Sequence, residues 1–378
     1  MSISISKKMK IGILTFHTPI NYGAVLQVYA LQTYLKSKFP EAEIKVLDFK
    51  TQHHIDKYSL FVKFRRNVPL YLYHQSCVLM KFSALKKRKE SFRKFVQEEL
   101  NLTKRYISED DLLTNIPQMD VYIVGSDQVF HPKSPYLRAY YLDFKKNHSV
   151  KVAYAPSFGM SEFTDEIGMK LHKHLMDFDA LSCREKDGAN FISRITHKSV
   201  PTVVDPTFLL TISQWSMMLV PPSHDDKYIF VYDLNGGKNL IHIANKIKQA
   251  TGYKIICQTQ KAHVFYNIDK QLYDTGPREF VGLIKNAEFV VTDSFHGVAF
   301  SVFLRKKFLT YIATPKASSR IHSLLSSLGL QDRIIEYGQS GEFLFQDVFD
   351  LNYIDKLQRL VDDSEKYLLD SIKLVPKR

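Results

Sequence analysis

The chain has 378 residues, of which 45% are hydrophobic and 24% charged, and its formal net charge is +13. This length is too great for one ordinary core and the composition excludes a disordered chain, so we expect two globular domains. The three cysteines are far apart, which excludes a disulfide scaffold and indicates a reducing compartment. The positive charge favours anionic partners: phosphorylated or acidic substrates, a membrane surface or nucleic acid.

The N-terminal residues predict a strand, a loop and a helix. Residues 9–16 form an apolar run typical of a buried strand, and residues 25–35 have the spacing of an amphipathic helix. Between them, Asn21 is a candidate helix N-cap, and Gly23 allows close approach of the backbone to a ligand. This loop is a candidate cradle for a phosphate or a sugar, although it is neither a P-loop nor a dinucleotide fingerprint.

Residues 53–106 differ from the rest of the chain because they are basic and aromatic. Residues 58–73 mix aromatic and basic residues, and a predicted helix from Lys81 carries a dense cationic run at residues 86–89. Such a segment predicts reversible attachment to an anionic membrane surface. The alternative is a solvated basic helix that packs on its own domain.

Polar residues recur where the next predicted strands end. One such residue is explained by capping of a loop, but the recurrence predicts a ligand crevice, because the carboxyl ends of parallel strands meet at one edge of a sheet. The residues are Asp127 and Gln128 in residues 120–131, Ser157 in residues 151–159, Arg184 in residues 179–185 and Asp205 in residues 201–210.

The second half of the chain predicts another α/β set. Residues 215–226, with two consecutive prolines, are interpreted as the linker, and a new apolar strand begins at Lys227. A strand over residues 307–312 and a helix over residues 319–329 follow the central stretch described next. A long amphipathic helix is predicted at residues 351–374.

Residues 289–304 are the stretch around which the rest is organised. A short β-branched run ends at the N-cap formers Thr292, Asp293 and Ser294, and an apolar helix begins close to His296. A helix start at the carboxyl end of a strand suits an anion, and a histidine there is placed to exchange a proton with it. The alternative is a capping turn with a half-buried histidine.

Several other functions are excluded or disfavoured. The histidines and cysteines do not occur at metal-ligand spacing, and no G-x-S-x-G or Cys/His arrangement is present. No recognisable nucleic-acid-binding module accompanies the positive charge, so we expect no nucleic-acid partner. No apolar run spans a bilayer and the N-terminus lacks a signal-peptide core. We therefore expect a cytoplasmic protein, with peripheral attachment to the inner membrane face.

The ordered set of motifs resembles the polysaccharide pyruvyl transferase family. The motifs are NYGAVLQ at residues 21–27, VGSDQ at 124–128, YAPSFG at 154–159, SCRE at 182–185, DPTF at 205–208 and TDSFHG at 292–297. The resemblance implies an α/β fold with two Rossmann-like domains facing each other across a cleft, as in GT-B glycosyltransferases. The expected domains are 9–215 on the acceptor side, with 53–106 as an insertion, and 227–345 on the donor side, followed by a helix at 350–374.

The resemblance also implies a reaction. A pyruvyl group would pass from phosphoenolpyruvate to two hydroxyls of a sugar in a polysaccharide or its lipid-linked precursor, which forms a ketal in exopolysaccharide or capsule biosynthesis. His296 would transfer a proton, Asp127 would hold or deprotonate the sugar hydroxyl, and Arg184 would clamp the donor. Neither a metal nor an organic cofactor is expected.

The chain departs from the family pattern at one position, because Ser294 occupies a place where members often carry arginine. Arg320 or Lys316 is a candidate source of the missing charge, and Gly297 completes the expected donor contacts together with Ser294. The expected acceptor contacts are Asn21, Tyr22, Gly23, Gln128 and Ser157.

Two other functions stay open. One is a GT-B-type glycosyltransferase that uses a nucleotide sugar, because a helix start suits a diphosphate equally well. The other is a non-catalytic basic protein that binds membranes or nucleic acid.

Overall fold

The structure, a computed structural model, describes residues 8–57, 68–144, 148–223, 226–234, 237–259, 267–313, 318–336 and 351–376. Two expectations, those for Lys316 and for the aromatic residues 58–67, therefore lie outside the described residues. Among the described helices, none is both long and apolar enough to cross a bilayer.

The described strands form two parallel sheets of six strands each, as expected for an α/β chain. The strands are β1 (Lys10–Leu14), β2 (Glu43–Phe49), β3 (Leu102–Tyr106), β4 (Val121–Val124), β5 (Val150–Ala153), β6 (Ala180–Leu181), β7 (Tyr228–Asp233), β8 (Lys254–Thr259), β9 (Lys270–Leu272), β10 (Phe289–Thr292), β11 (Lys307–Ile312) and β12 (Ile334–Glu336).

Helices follow most of these strands, as right-handed crossovers between parallel strands require. They are α1 (Tyr22–Lys38), α2 (Gln52–Lys57), α3 (Val68–Met80), α4 (Phe82–Glu99), α5 (Glu109–Asn115), α6 (Leu137–Tyr140), α7 (Asp165–Met176), α8 (Lys186–Thr196), α9 (Ile212–Met218), α10 (Lys238–Thr251), α11 (Pro277–Asn286), α12 (Phe295–Phe303), α13 (Ser319–Leu328) and α14 (Leu351–Ile372).

The two sheets have the same topology. The first runs β3-β2-β1-β4-β5-β6, and the second runs β12-β11-β10-β7-β8-β9. Counted from the first strand of each set, both are the 3-2-1-4-5-6 order of Rossmann folds. Strand order therefore reverses between β1 and β4 in one sheet and between β7 and β10 in the other, and ligands of such sheets bind outside the carboxyl ends at that point.

Two compact units contain these sheets. Unit 1 comprises residues 1–55, 96–210 and 356–378, and unit 2 comprises residues 56–95 and 211–355. The predicted boundaries, 9–215 and 227–345 with a separate helix at 350–374, stay a prediction. They differ from the units in several places, since residues 56–95 and 211–215 group with unit 2 and residues 356–378 with unit 1.

Helix α4 packs inside unit 2 through part of its basic run. Lys87 donates to Asp274 at 2.7 Å, and this hydrogen bond raises the pKa of Lys87. Arg88 is buried, and its Nη1 donates to the carbonyl oxygen of Thr259 at 2.9 Å. Two of the four cations at residues 86–89 thus make internal contacts, which supports the alternative of a helix packed on its own domain.

In two segments the structure differs from the secondary structure predicted from the sequence. Residues 201–210, predicted as a strand, contain a single bridge at Thr202 and a 3-10 turn, because Pro206 lacks the N–H that a ladder needs. The prediction of a linker over residues 215–226 is also wrong for its first residues, which belong to a helix. Trp215 lies in α9, is fully buried and packs edge-on against Phe300 at 5.0 Å.

Candidate active site

The carboxyl edge of the second sheet carries the predicted helix start. Ser294 is the N-cap of α12, and its Oγ accepts a hydrogen bond from Gly297 N at 3.3 Å. A Cβ on Gly297 would lie 2.5 Å from Thr292 Oγ1, so only glycine lets the first turn pack this closely on the strand end. Ser294 and Gly297 therefore have structural roles here, and their predicted donor contacts stay predictions.

His296 lies in the first turn of α12. The residue is buried, and its ring contacts the ring of Phe295 edge-on at 5.2 Å. Backbone N–H groups of a first turn have no acceptor within the helix, and the helix dipole adds positive charge there. His296 thus occupies a place that favours an anionic ligand.

Arg320 lies next to this turn. Its guanidinium is 6.0 Å from the ring centroid of Phe295, the residue that precedes His296. Arg320 belongs to the first turn of α13, which follows β11, the neighbour of β10 in the sheet. In the same turn, Ser319 is buried, and its Oγ has no hydrogen-bond partner in the described part of the chain. Two helix starts and one cation are therefore close to His296.

Two aspartates connect the loops at the switch point of this sheet, between β7 and β10, through hydrogen bonds. Asp293 accepts a hydrogen bond from Leu234 N at 2.9 Å, which joins the turn after β10 to the turn after β7. Asp233, fully buried, accepts from Gly237 N and from Thr259 Oγ1. Both carboxylates hold loops at the edge on which His296 lies.

The carboxyl edge of the first sheet is tied by a buried network. Thr15, after β1, donates its hydroxyl to the carbonyl oxygen of Ser126, after β4. Gln27 Nε2 in α1 donates to Thr15 Oγ1 at 3.1 Å and to the carbonyl oxygens of Phe16 and Ala24. The two loops at this switch point are thus joined by side chains that are buried.

Arg184 and Asp205 form a buried ion pair in the same network. Arg184 Nη1 donates to Asp205 Oδ2 at 2.7 Å and to Ser126 Oγ at 3.0 Å, and Ser126 Oγ donates to Asp205 Oδ2 at 2.8 Å. Burial alone would lower the pKa of Arg184, but the charges of Asp205, Asp127 and Glu185 raise it. The arginine predicted to clamp the donor is therefore held by groups of its own unit.

Asp127 has a strained backbone. Its φ of 78° and ψ of −178° lie in a region that is essentially restricted to glycine. Its Oδ1 accepts from Gln128 N at 2.8 Å and lies 3.9 Å from Arg184 Nη2, while its side chain stays 15% exposed. Strain of this kind persists where the surroundings enforce it, and it is frequent at functional sites.

Ser157 and Gln128 belong to the loops beside Asp127. Ser157 is buried and donates to Glu185 Oε1 at 3.0 Å, and the same oxygen accepts from Phe158 N at 2.7 Å. Gly159 has a φ of 66°, and a Cβ there would lie 2.7 Å from the side chain of Gln128. Gln128 is half-buried and therefore better placed than Ser157 for a predicted sugar contact.

The start of α1 has the predicted cap. Asn21 accepts from Ala24 N at 3.2 Å, while Tyr22 and Gly23 are buried. Asn21 itself is half-buried. A ligand at this start would meet Asn21 and backbone groups rather than the side chain of Tyr22.

A buried histidine–aspartate pair next to this loop is not among the predicted site residues. His17 Nε2 lies 3.1 Å from Asp48 Oδ1, and its Nδ1 lies 3.2 Å from the carbonyl oxygen of Thr15. Both neighbours are oxygen acceptors, to which a ring N–H is able to donate. Burial alone would raise the pKa of Asp48, but His17 and Arg105 lower it. His17 follows β1 and Asp48 lies near the carboxyl end of β2, the neighbouring strand, which is the signal that the sequence offers.

Among the residues that the structure describes, no group of three or more histidines, cysteines or carboxylates is arranged to hold a metal ion.

Solved structures with a similar fold include sugar-nucleotide enzymes. A putative UDP-N-acetylglucosamine 2-epimerase from Listeria monocytogenes aligns with a TM-score of 0.50 and 11% identity, covering 98% of this chain and 91% of that chain. The UDP-GlcNAc 2-epimerase of Methanocaldococcus jannaschii, in complex with UDP-GlcNAc and UDP, aligns with a TM-score of 0.47 and 14% identity, covering 95% and 92%. At such identities the likeness concerns the fold alone, and the first of them confirms the predicted α/β class.

Comparison of the sequence with family models is more specific about the family than comparison of the fold. No curated protein matches the chain. The family model described as polysaccharide pyruvyl transferase matches residues 21–314, which include all six motifs on which the resemblance was based. Because this match covers well over half of the sequence, the chain belongs to the polysaccharide pyruvyl transferase family.

Proposed function

We propose that this protein transfers a pyruvyl group from phosphoenolpyruvate to two hydroxyls of one sugar, in a polysaccharide or its lipid-linked precursor. Family membership indicates pyruvyl transfer to a polysaccharide in general. The observation that best supports the finer proposal is His296 at the start of α12, with Arg320 beside it. A helix start with a cation and a proton-transfer group suits a small, doubly anionic donor.

The proposed reaction is balanced without a redox step. Both sugar oxygens bond to the central carbon of phosphoenolpyruvate, which loses its bond to the phosphate oxygen. The methylene carbon gains one proton and becomes a methyl group. Each hydroxyl gives up one proton, of which one balances that uptake and the other leaves with the inorganic phosphate. We assign proton delivery to His296 and hydroxyl deprotonation to Asp127.

Donor binding is assigned to the edge of the second sheet. The N–H groups of the α12 start would donate hydrogen bonds to the phosphate or the carboxylate, and Arg320 would supply the positive charge that Ser294 lacks. The unpartnered Oγ of Ser319 adds a hydroxyl that is able to donate a hydrogen bond. The predicted contact of Lys316 with the donor stays a prediction.

Arg184 is assigned a positioning role. Its Nη1 is engaged by Asp205 and Ser126, and its Nη2 lies 3.9 Å from Asp127. These contacts support an arginine that holds the strained Asp127 turn in place. Its predicted direct contact with the donor stays a prediction.

A ligand screen tests the proposal. Phosphoenolpyruvate should raise the melting temperature of the protein, whereas nucleotide sugars should leave it unchanged, since a ligand that binds only the folded state stabilises that state. Arg320→Gln should remove most of the shift, and Ser294→Arg in that background should restore it. Arg305→Gln, an exposed arginine of the same unit, is the matched control.

The screen also identifies the competing function. Stabilisation by nucleotide sugars but not by phosphoenolpyruvate would indicate a glycosyltransferase. An unchanged phosphoenolpyruvate shift in Arg320→Gln would place Arg320 outside the donor site.

A further inference from the structure

Helix α3 has apolar side chains on two opposite sides. On one side, Cys77 and Val78 are buried in a small cluster with Leu85 and Tyr273. On the other side, large apolar side chains are exposed to solvent. Large apolar side chains that stay exposed on one side of a helix, while its other side is buried, are a candidate contact surface for a partner.

The exposed side is defined by Leu72, Leu79 and Met80, which are 59%, 65% and 68% exposed. Their spacing of seven and eight residues places them on one face, about two turns apart along the helix. We call this set the α3 apolar face. Scattered exposed apolar residues need no explanation, but three on one helix face form a contiguous patch.

Cations follow the α3 apolar face along the chain. Between residues 81 and 94 the only acidic residue is Glu90. Lys87 and Arg88 make the internal contacts described above, and Arg93 pairs with Glu90. Lys86 and Lys89 are exposed, so two surface cations follow the α3 apolar face along the chain in the same unit.

We propose that the α3 apolar face inserts into the interface of an anionic lipid membrane while Lys86 and Lys89 contact lipid headgroups. Flexible aliphatic side chains on an exposed helix face, with exposed lysines on the helix that follows, fit the boundary between headgroups and acyl chains. Attachment depends on apolar contact as well as charge. The lysine run alone does not account for it, since Lys87 already pairs with Asp274 and Arg88 is buried.

The test is co-sedimentation of the full-length protein with liposomes of phosphatidylcholine and phosphatidylglycerol. Leu72→Glu with Leu79→Glu should lower the partition coefficient about tenfold or more, because two aliphatic side chains no longer leave water. Lys86→Gln with Lys89→Gln should lower it roughly 10- to 30-fold, at about 1 kcal/mol for each cation. Met217→Glu, which changes a methionine that is 78% exposed on α9, should bind like the wild type.

Three results would overturn the proposal. Wild-type sedimentation of the Leu72→Glu, Leu79→Glu variant would show that the face does not touch lipid. Equal losses in Met217→Glu would show a non-specific charge effect. A lipid-free dimer in analytical ultracentrifugation that the double variant abolishes would assign the face to a second copy of the chain. Far-UV circular dichroism and phosphoenolpyruvate binding of each variant confirm the fold independently of the membrane result.

Discussion

The carboxyl edges of the two sheets share a topology but differ in what occupies them. At the edge of unit 1, Arg184, Asp205 and Ser126 are hydrogen-bonded to one another in a buried network, and Asp127 is the strained and partly exposed residue beside them. At the edge of unit 2, His296 and Arg320 lie at helix starts that suit an anion. The same strand order therefore places a candidate ligand edge in each unit, and the side chains at that edge determine which ligand it suits.

The largest loss of turnover is expected from a substitution at the carboxyl edge of the unit 2 sheet. His296→Ala should lower turnover by about 10²–10⁴-fold and leave the affinity for phosphoenolpyruvate and the melting temperature nearly unchanged. His322→Ala, an exposed histidine in α13, is the matched control and should keep normal turnover. The measurement is phosphate release at saturating phosphoenolpyruvate. Normal turnover in His296→Ala would reduce this histidine to a part of the capping turn.

A substitution in the buried network at the carboxyl edge of the unit 1 sheet should instead lower the free energy of unfolding. Asp205→Ala leaves Arg184 buried without its carboxylate and should cost about 3–5 kcal/mol of unfolding free energy in urea denaturation. Asp110→Ala removes an exposed partner of Arg138 and should cost less than about 1 kcal/mol. Equal costs for the two variants would contradict a buried network in unit 1.

The smallest change in stability is expected at Asp127. Asp127→Gly relieves a backbone conformation that costs of order 1–3 kcal/mol, and this gain offsets the loss of the cap to Gln128. Unfolding free energy should therefore stay within about 1 kcal/mol of the wild type, while turnover falls about 100-fold. A stable variant with full turnover would make the strain a feature of the loop rather than of the catalytic site.

Much of the candidate site at the carboxyl edges of the sheets can be predicted from the local sequence. Apolar runs give the strands that precede each turn, and the N-cap formers Asn21 and Ser294 mark where α1 and α12 begin. These signals lie within a few residues of each other along the chain.

Burial was harder to predict because it depends on partners that are distant in sequence. Arg184 is a free cation in the sequence, yet Asp205 and Ser126 neutralise and surround it in the fold. Trp215 was assigned to a linker because prolines follow it, although Phe300, far along the chain, covers it. The pairing of His17 with Asp48 likewise depends on two strands lying side by side.

The most direct test of the proposed reaction is analysis of its product. The purified protein is incubated with phosphoenolpyruvate and with polysaccharide extracted from the source cells, and the sugar is analysed by mass spectrometry and proton NMR. We expect a mass gain of one pyruvate less one water per modified sugar, a new methyl resonance, and one inorganic phosphate released for each ketal formed. Consumption of a nucleotide sugar instead, with no ketal methyl in the product, would contradict the account.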